Sequence, residues 1–351
     1  MFDRRDFLTT ALGALTLLQE RKRTPIIDGL GEIHATYDDA LLDEIRASGL
    51  RGCVVTVGNP ALQGADAFDD MRKEIAEYDQ LIAARPARLS KAVNAADIDR
   101  AAAQQTIGLV YYTQNATPLE DKVERLRALY DLGVRIVQLT YNTRNLLGDG
   151  CLERTNAGLS KFGFEVVARM NELRMLVDVS HSGAATTLDA IRHSPAPVAI
   201  THAGCQAVYQ HPRNKSDAAL RALARKGGVF GIYQINPYLG PKERNTLDDF
   251  LRHLEHAINV CGLDHVAIGS DREHRTIPDT PAEKQKLIDE LSRLRPVTAA
   301  TFRWPFFISE LNHPRRMETI AAALAKRGHK AAAIDKLLGG NWHRLLRDVL
   351  G

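Results

Sequence analysis

The sequence has little of what would assign it to a cysteine-based metal site or a disulfide scaffold. It contains four cysteines in 351 residues, and no two of them form a Cys-x-x-Cys pair. A four-cysteine metal site needs such paired spacing, so we expect the cysteines to be small buried hydrophobic side chains. One or two disulfides remain open if the protein is exported, because oxidising compartments preserve them.

Strong charge of one sign and long apolar runs are also absent. The chain has 46 basic and 43 acidic residues, and no cluster of Lys and Arg is interleaved with aromatic side chains. This balance predicts no nucleic-acid partner. No run reaches the roughly 18 apolar residues that a membrane-spanning helix needs, so we expect no transmembrane span in the mature form.

The first 23 residues have the layout of an export signal. Arg4 and Arg5 precede Phe7-Leu8 and an uncharged apolar run that ends at Leu18. Paired arginines before a short apolar core are typical of a twin-arginine signal. We therefore predict that residues 1–23 are a twin-arginine-like signal segment and that the protein is exported to the periplasm. No Ala-x-Ala cleavage site follows, and the alternative is a frayed amphipathic N-terminus on a cytoplasmic protein.

The rest of the chain alternates short apolar runs with helical stretches. Continuous apolar runs are typical of strands that are buried on both faces of a parallel sheet. Eight such runs predict an α/β fold of the (β/α)8 TIM-barrel type, in a single domain over 24–351. An open doubly wound sheet is the alternative, and the lack of a glycine-rich phosphate turn after the first strand disfavours it. The predicted strands are Pro25–Asp28, Gly52–Val57, Ile107–Tyr112, Arg135–Tyr141, Met175–His181, Val198–His202, Val229–Gln234 and His265–Asp271.

Polar side chains follow six of the eight predicted strands, at the barrel end where such folds carry their chemistry. His181 and His202 each follow an apolar run directly and lie on adjacent predicted strands. Neutral imidazole is a good ligand for zinc and similar ions, so we expect the two histidines to share a metal ion. Asp271, at the end of the last strand, is the natural acid–base or metal-linked carboxylate.

Several motifs lie in order along the chain after about residue 25. They are Leu129–Arg135, Gly163–Glu165, Asn171–His181, His211–Asp217, Ile268–Asp271 and Leu338–Trp342. Together they resemble the renal, or membrane, dipeptidase family of metallopeptidases. The resemblance implies a (β/α)8 barrel, usually with two zinc ions. It also implies hydrolysis of dipeptides with an L-residue first and a tolerant second position, and a tendency to form homodimers.

The resemblance implies roles for five residues. His181 and His202 match the zinc-binding histidines, and Asp271 matches the aspartate near the attacking water. Arg213 matches the arginine that binds the terminal carboxylate of the substrate, and Tyr238 matches a tyrosine on the substrate side.

The other half of the family's metal site differs in this sequence. Leu30 replaces a histidine ligand, although Glu32 could supply the neighbouring carboxylate. The bridging glutamate of the family falls on Gln114, whose neutral amide cannot offset the repulsion between two zinc ions as a carboxylate does. Tyr141 replaces a histidine that contacts the reacting carbonyl, and could donate a hydrogen bond to the oxyanion. We therefore expect one zinc ion rather than two, bound by His181 and His202, with Gln114 and Glu32 as further candidate ligands.

Three functions follow from this pattern. The first is a metal-dependent dipeptidase, or related amidohydrolase, that cleaves a small peptide or amide with metal-activated water. The second is a relative that has moved to another reaction in secondary-metabolite maturation. The third is a non-catalytic binding protein that keeps the carboxylate-binding residues Arg213 and Tyr238. Metal content and dipeptide cleavage together discriminate among them.

Overall fold

Parallel strands and helices alternate through almost the whole protein. A computed structural model describes residues 24–292 and 302–351, so the predicted signal segment lies outside the described residues and stays a prediction. The strands are β1 Ile26–Asp28, β2 Leu50–Thr56, β3 Leu89–Lys91, β4 Ile107–Thr113, β5 Val134–Gln138, β6 Leu176–Asp178, β7 Ala199–Ala203, β8 Val229–Ile232 and β9 Val266–Ile268.

Helices connect the strands and cover the outside of the sheet. They are α1 Asp39–Ala47, α2 Gly64–Ala84, α3 Ala95–Gln104, α4 Arg125–Asp131, α5 Lys161–Glu172, α6 Ala184–His193, α7 Asp217–Arg225, α8 Asn236–Leu239, α9 Leu247–Cys261, α10 Pro281–Ser292, α11 Arg316–Lys326, α12 Ala331–Asp335 and α13 Asn341–Leu350. Short turns of 3-10 helix span Thr117–Leu119, Leu263–His265 and Ser309–Leu311, and a π-helical turn spans Lys336–Gly340.

The sheet closes on itself. Its strand order is β1-β2-β4-β5-β6-β7-β8-β9, and every pairing is parallel. Beyond that path, the Gly29 N–H donates to the carbonyl of Ile268 at 3.0 Å, and the Asp271 N–H donates to the carbonyl of Leu30 at 2.8 Å. These bonds join the first strand to the last, so the predicted (β/α)8 barrel is confirmed and the open sheet is excluded.

The sequence pattern missed one strand. β3 pairs with Ile107–Leu109 at the start of β4, on the side opposite β2, and therefore lies outside the ring of eight. Three residues are too few to show a period in a sequence. The eight strands of the ring are the eight that were predicted, with altered bounds: β1, β5, β6, β8 and β9 are shorter than predicted, β2 and β4 are one residue longer, and β7 is shifted by one residue.

Part of the barrel interior is an apolar cluster that reaches past the carboxyl end of β1 to Leu30. Leu30 is fully buried there with Ile27, Val54 and Tyr112, and Trp342 of α13 packs against the same cluster. The Trp342 indole N–H donates to the carbonyl of Ile268 at 2.7 Å. A Cβ at Gly29 would lie only 2.3 Å from this indole, so the close approach requires glycine. This packing leaves Leu30 as a structural residue of the core.

All four cysteines are free, and three of them are buried as expected. Cys151 is half-buried, in the loop that follows β5. Within the described ranges, no helix combines the length and apolar character needed to cross a bilayer.

Candidate active site

Two imidazole rings meet at the carboxyl ends of β6 and β7. The Nε2 atoms of His181 and His202 lie 3.0 Å apart, and both side chains are buried. Tyr141, which follows β5, stacks on the His181 ring with centroids 4.2 Å apart. The fold therefore brings together the two histidines that the sequence predicted to be partners, and adds the aromatic face of Tyr141.

The far nitrogen of each imidazole is held by a neighbour. His181 Nδ1 lies 2.8 Å from the side-chain oxygen of Asn142, which can only accept, so Nδ1 carries the proton. His202 Nδ1 lies 2.8 Å from the Thr201 hydroxyl. Such bonds at the far nitrogen are the usual way in which a protein orients a metal-binding histidine. They direct the two Nε2 atoms toward one point.

His202 is held in its neutral form by its surroundings. Burial, together with the nearby charges of Arg213 and Lys215, lowers the pKa of His202 well below its ordinary value. A neutral imidazole is the form that binds a metal ion. The His202 ring is therefore in the protonation state that a metal ligand needs.

A buried hydrogen-bond network lies beneath His202. Both carboxylate oxygens of Asp178 accept bonds: Oδ1 from the Ser180 hydroxyl and the Thr201 N–H, and Oδ2 from the hydroxyls of Tyr112 and Thr201. Because the Thr201 hydroxyl has one proton and donates it to Asp178, its oxygen is left to accept from His202 Nδ1. The network thereby fixes the proton of His202 on Nδ1.

Asp271 follows β9 in a backbone conformation that side chains seldom adopt. Its φ is 54°, in the left-handed region, and its N–H is bonded to the first strand. Its charge contributes to raising the pKa of Arg213, although burial acts in the opposite direction. Residues in this conformation concentrate at functional sites. The predicted catalytic carboxylate is thus held at the rim, within electrostatic reach of Arg213.

Glu32 and Gln114 are linked to each other through Thr56. The Thr56 hydroxyl donates to Glu32 Oε1 at 2.8 Å, and the amide nitrogen of Gln114 donates to Thr56 Oγ1 at 3.2 Å. Burial raises the pKa of Glu32 well above its ordinary value, although the Thr56 bond lowers it, and the carboxylate of Asp271 raises it further. Glu32 thus lies near Asp271 but is bonded to β2.

The fit of a metal ion can be judged from these side chains. Within residues 24–292 and 302–351, no group of three or more His, Cys, Asp or Glu side chains is arranged to hold a metal ion. The roles of Glu32 and Gln114 as ligands stay predictions. Two oriented imidazole nitrogens do fit one ion, with its remaining positions open to water or substrate.

The predicted substrate-binding residues lie beside the histidines. Arg213 is buried and donates to the carbonyls of Ser180 at 2.5 Å and His202 at 3.2 Å. It forms no ion pair with any residue of the described ranges. Tyr238, in α8, stacks on His211 with centroids 4.3 Å apart. A guanidinium without a carboxylate partner is suited to bind an anion.

Sequence reasoning missed several residues that shape this site. Asn142 and Thr201 were given no role. Asp178, Thr56 and Lys215 were not singled out. A signal for Asp178 was available, since Asp178 and Ser180 are two apart and therefore on one face of the predicted strand Met175–His181.

Comparisons with known proteins agree with this architecture. The sequence profile of the membrane dipeptidase family, peptidase family M19, matches residues 32–295. An uncharacterized Klebsiella pneumoniae protein of the pqqA 5′ region is 30% identical over 294 residues, which cover 81% of this chain and 97% of that protein. Dipeptidase verJ of Clonostachys rogersoniana is 39% identical over 148 residues, which cover 42% of this chain and 38% of that protein.

A solved structure extends the likeness to three dimensions. The crystal structure of an amidohydrolase from Pseudomonas aeruginosa matches with a TM-score of 0.81 and 31% identity, over 94% of this chain and 98% of that chain. The resemblance seen in the motifs is confirmed, since the family profile covers most of the described barrel. The chain belongs to the membrane dipeptidase family, peptidase family M19, and is a metal-dependent peptidase-like hydrolase.

Proposed function

We propose that the protein is a dipeptidase that works with a single zinc ion held by His181 and His202. The observation that supports it is the 3.0 Å approach of the two Nε2 atoms, each in a ring whose Nδ1 is engaged elsewhere. Leu30, at the position of a family ligand, is fully buried in the apolar core, which supports the loss of the second ion.

The chain's own residues divide the remaining work. His181 and His202 would hold a zinc ion, which would supply a Lewis acid and lower the pKa of water to about 7. The Asp271 carboxylate orients the attacking water and accepts its proton. The Tyr141 phenol, stacked on His181, donates a hydrogen bond to the carbonyl oxygen as negative charge develops there.

Arg213 and Tyr238 orient the substrate. Arg213 binds the terminal carboxylate of the dipeptide, because its charge is buried and has no ion-pair partner in the described part of the chain. Tyr238 lines the substrate side together with His211. Arg213 and Asp271 lie at the same rim, which supports their acting on the terminal carboxylate and the peptide bond of one dipeptide.

Removal of either histidine tests the proposal. We expect His181→Ala and His202→Ala to reduce zinc content from about one equivalent to near zero, because one imidazole does not retain the ion. Hydrolysis of a panel of L,L-dipeptides should fall with the zinc. Metal analysis of protein purified without chelator, paired with the dipeptide panel, measures both.

His343→Ala is the matched control, since His343 pairs with Asp99 on the surface at 3.0 Å. It should retain zinc and activity. Stoichiometric zinc in His181→Ala would falsify the site. If zinc-loaded wild-type protein cleaves no dipeptide, the result would favour a relative that catalyses a different reaction. If the wild-type protein holds no metal, the result would favour a non-catalytic binding protein.

A further inference from the structure

A cavity of about 220 Å³ opens beside the histidine pair, apart from the residues assigned to peptide hydrolysis. It lies between the loop after β5, the beginning of α6 and the segment that leads into α7. Polar side chains and one cysteine line much of it, among them Cys151, Asn156, Thr187, Gln206, Lys215 and Ser216. The position makes it accessible to a small molecule at the rim.

The lining contains a buried cation that forms no ion pair with another described residue. Lys215 is 4% exposed, and its ammonium donates to the carbonyl of Ser182 at 2.7 Å and to the Thr187 hydroxyl at 3.1 Å. Both acceptors are neutral, and an ammonium has a third N–H to donate. Lys215 forms no ion pair in the described ranges. Burial of an unpaired charge is costly, so the cavity favours an anion.

The electrostatics of Lys215 support the same conclusion. Burial, with a smaller contribution from Arg213, lowers the pKa of Lys215 to about 7, and Cys151 and Asp178 act in the opposite direction. An anion bound at Nζ would restore the charged form. Glu153 is the acidic side chain that also lines the cavity, but its two oxygens accept the backbone N–H groups of Arg144 and Arg154.

The cavity shares a wall with the metal site. Three consecutive carbonyls, those of Ser180, His181 and Ser182, accept from Arg213 Nη1, the Cys151 N–H and Lys215 Nζ. The two buried cations therefore flank His181, one on each side of its backbone. A substrate whose terminal carboxylate is at Arg213 lies close to a second positive group.

We propose that the Lys215 cavity binds a carboxylate group. The carboxylate comes either from an acidic side chain of the dipeptide substrate or from a free small carboxylic acid. The first source rests on the proposed dipeptidase function, and the second does not.

Direct binding tests the site without using catalysis. Calorimetric titration with glutarate should show binding to the wild-type protein that weakens by about tenfold or more in Lys215→Met and Lys215→Gln, because a charge-assisted bond is lost. Gln keeps a donor for the Ser182 carbonyl, so it serves if the Met variant does not fold. Lys226→Met is the control, since Lys226 Nζ bonds to the Ser194 carbonyl outside the cavity; it should bind as wild type.

Kinetics then separate the two sources. If substrate supplies the carboxylate, wild-type KM should be lower for L-Ala-L-Glu than for the isosteric L-Ala-L-Gln, and the difference should vanish in both Lys215 variants. Lys215-dependent glutarate binding without this preference assigns the site to a free acid. The assignment to a free acid also stands if the protein binds glutarate through Lys215 but cleaves no dipeptide. In that case the proposed dipeptidase function alone fails. Glutarate binding that is absent, or equal in wild type and variants, overturns the proposal.

Discussion

Asn142 shows how much of this site depends on one hydrogen bond. Its side-chain oxygen accepts a hydrogen bond from Nδ1 of His181 at 2.8 Å, so the unprotonated Nε2 faces His202 and can act as a metal ligand. The Cys151 thiol lies 3.7 Å from the same oxygen. Asn142 thus acts through His181 as a positioning residue.

Asn142→Ala should weaken zinc binding by about 10- to 100-fold, the usual effect of removing such a partner. The ring then loses the bond that fixes its proton and orientation. Competition with a chelator of known affinity measures the change, and the denaturation midpoint of the metal-free protein should stay near the wild-type value. Asn171→Ala, in α5, is the control because it bonds within its own helix and to Ser194. Unchanged zinc affinity in Asn142→Ala would refute this role.

At the scale of elements, the join between β6 and β7 is unusual. The two strands pair through a single pair of residues, Asp178 and Ala199. The Asp178 side chain extends the join, because its Oδ1 accepts the Thr201 N–H at 2.8 Å. A side chain therefore replaces part of the backbone ladder beneath the two histidines.

Asp178→Asn should reduce the free energy of unfolding by about 1–3 kcal/mol, because an amide NH2 would face donors where a carboxylate oxygen accepted two bonds. Urea denaturation at neutral pH measures the loss. Asp99→Asn, at an exposed pair with His343, should change it little. Equal stability of Asp178→Asn and wild type would show that the carboxylate does not hold the strands together.

At the scale of the whole molecule, buried histidines make the fold sensitive to acid. Burial lowers the pKa of both His253 and His274 to about 4. His253 Nδ1 accepts the Cys205 N–H at 2.9 Å, and its Nε2 bonds to the carbonyl of Leu239 at 3.1 Å. A proton on Nδ1 would bring the Nδ1–H of His253 against the Cys205 N–H, and two donors cannot form a hydrogen bond.

The sign of the pH effect follows from these pKa values. An unfolded histidine binds its proton near pH 6.5, whereas the folded ones bind it near pH 4. Between these values the unfolded chain holds more protons, so the free energy of unfolding falls as pH falls. His253→Gln can repeat both hydrogen bonds but does not titrate in this range. The number of protons taken up on unfolding should therefore fall by up to about one, which makes the dependence of the free energy of unfolding on pH less steep. Urea denaturation from pH 7 to 4 tests it, with His343→Gln as control; an identical slope in His253→Gln contradicts the assignment.

Much of the fold was predictable because it depends on local pattern. The ring strands and the polar residues that follow them come from apolar runs and their ends, and parallel closure then sends those ends to one rim. β3 was missed, since Leu89–Lys91 is too short to have a period. The motifs added the substrate-side residues Arg213 and Tyr238, which no periodicity distinguishes.

The sequence by itself determined the barrel and the identity of His181, His202 and Asp271 as rim residues. The tertiary structure alone decided which rim side chains meet. It directed the two Nε2 atoms to one point, bonded Glu32 to Thr56, and buried Lys215 beside Ser182. The reason is physical: strand register and barrel closure set these distances between residues far apart in the chain, and a sequence pattern fixes only the face on which each side chain lies.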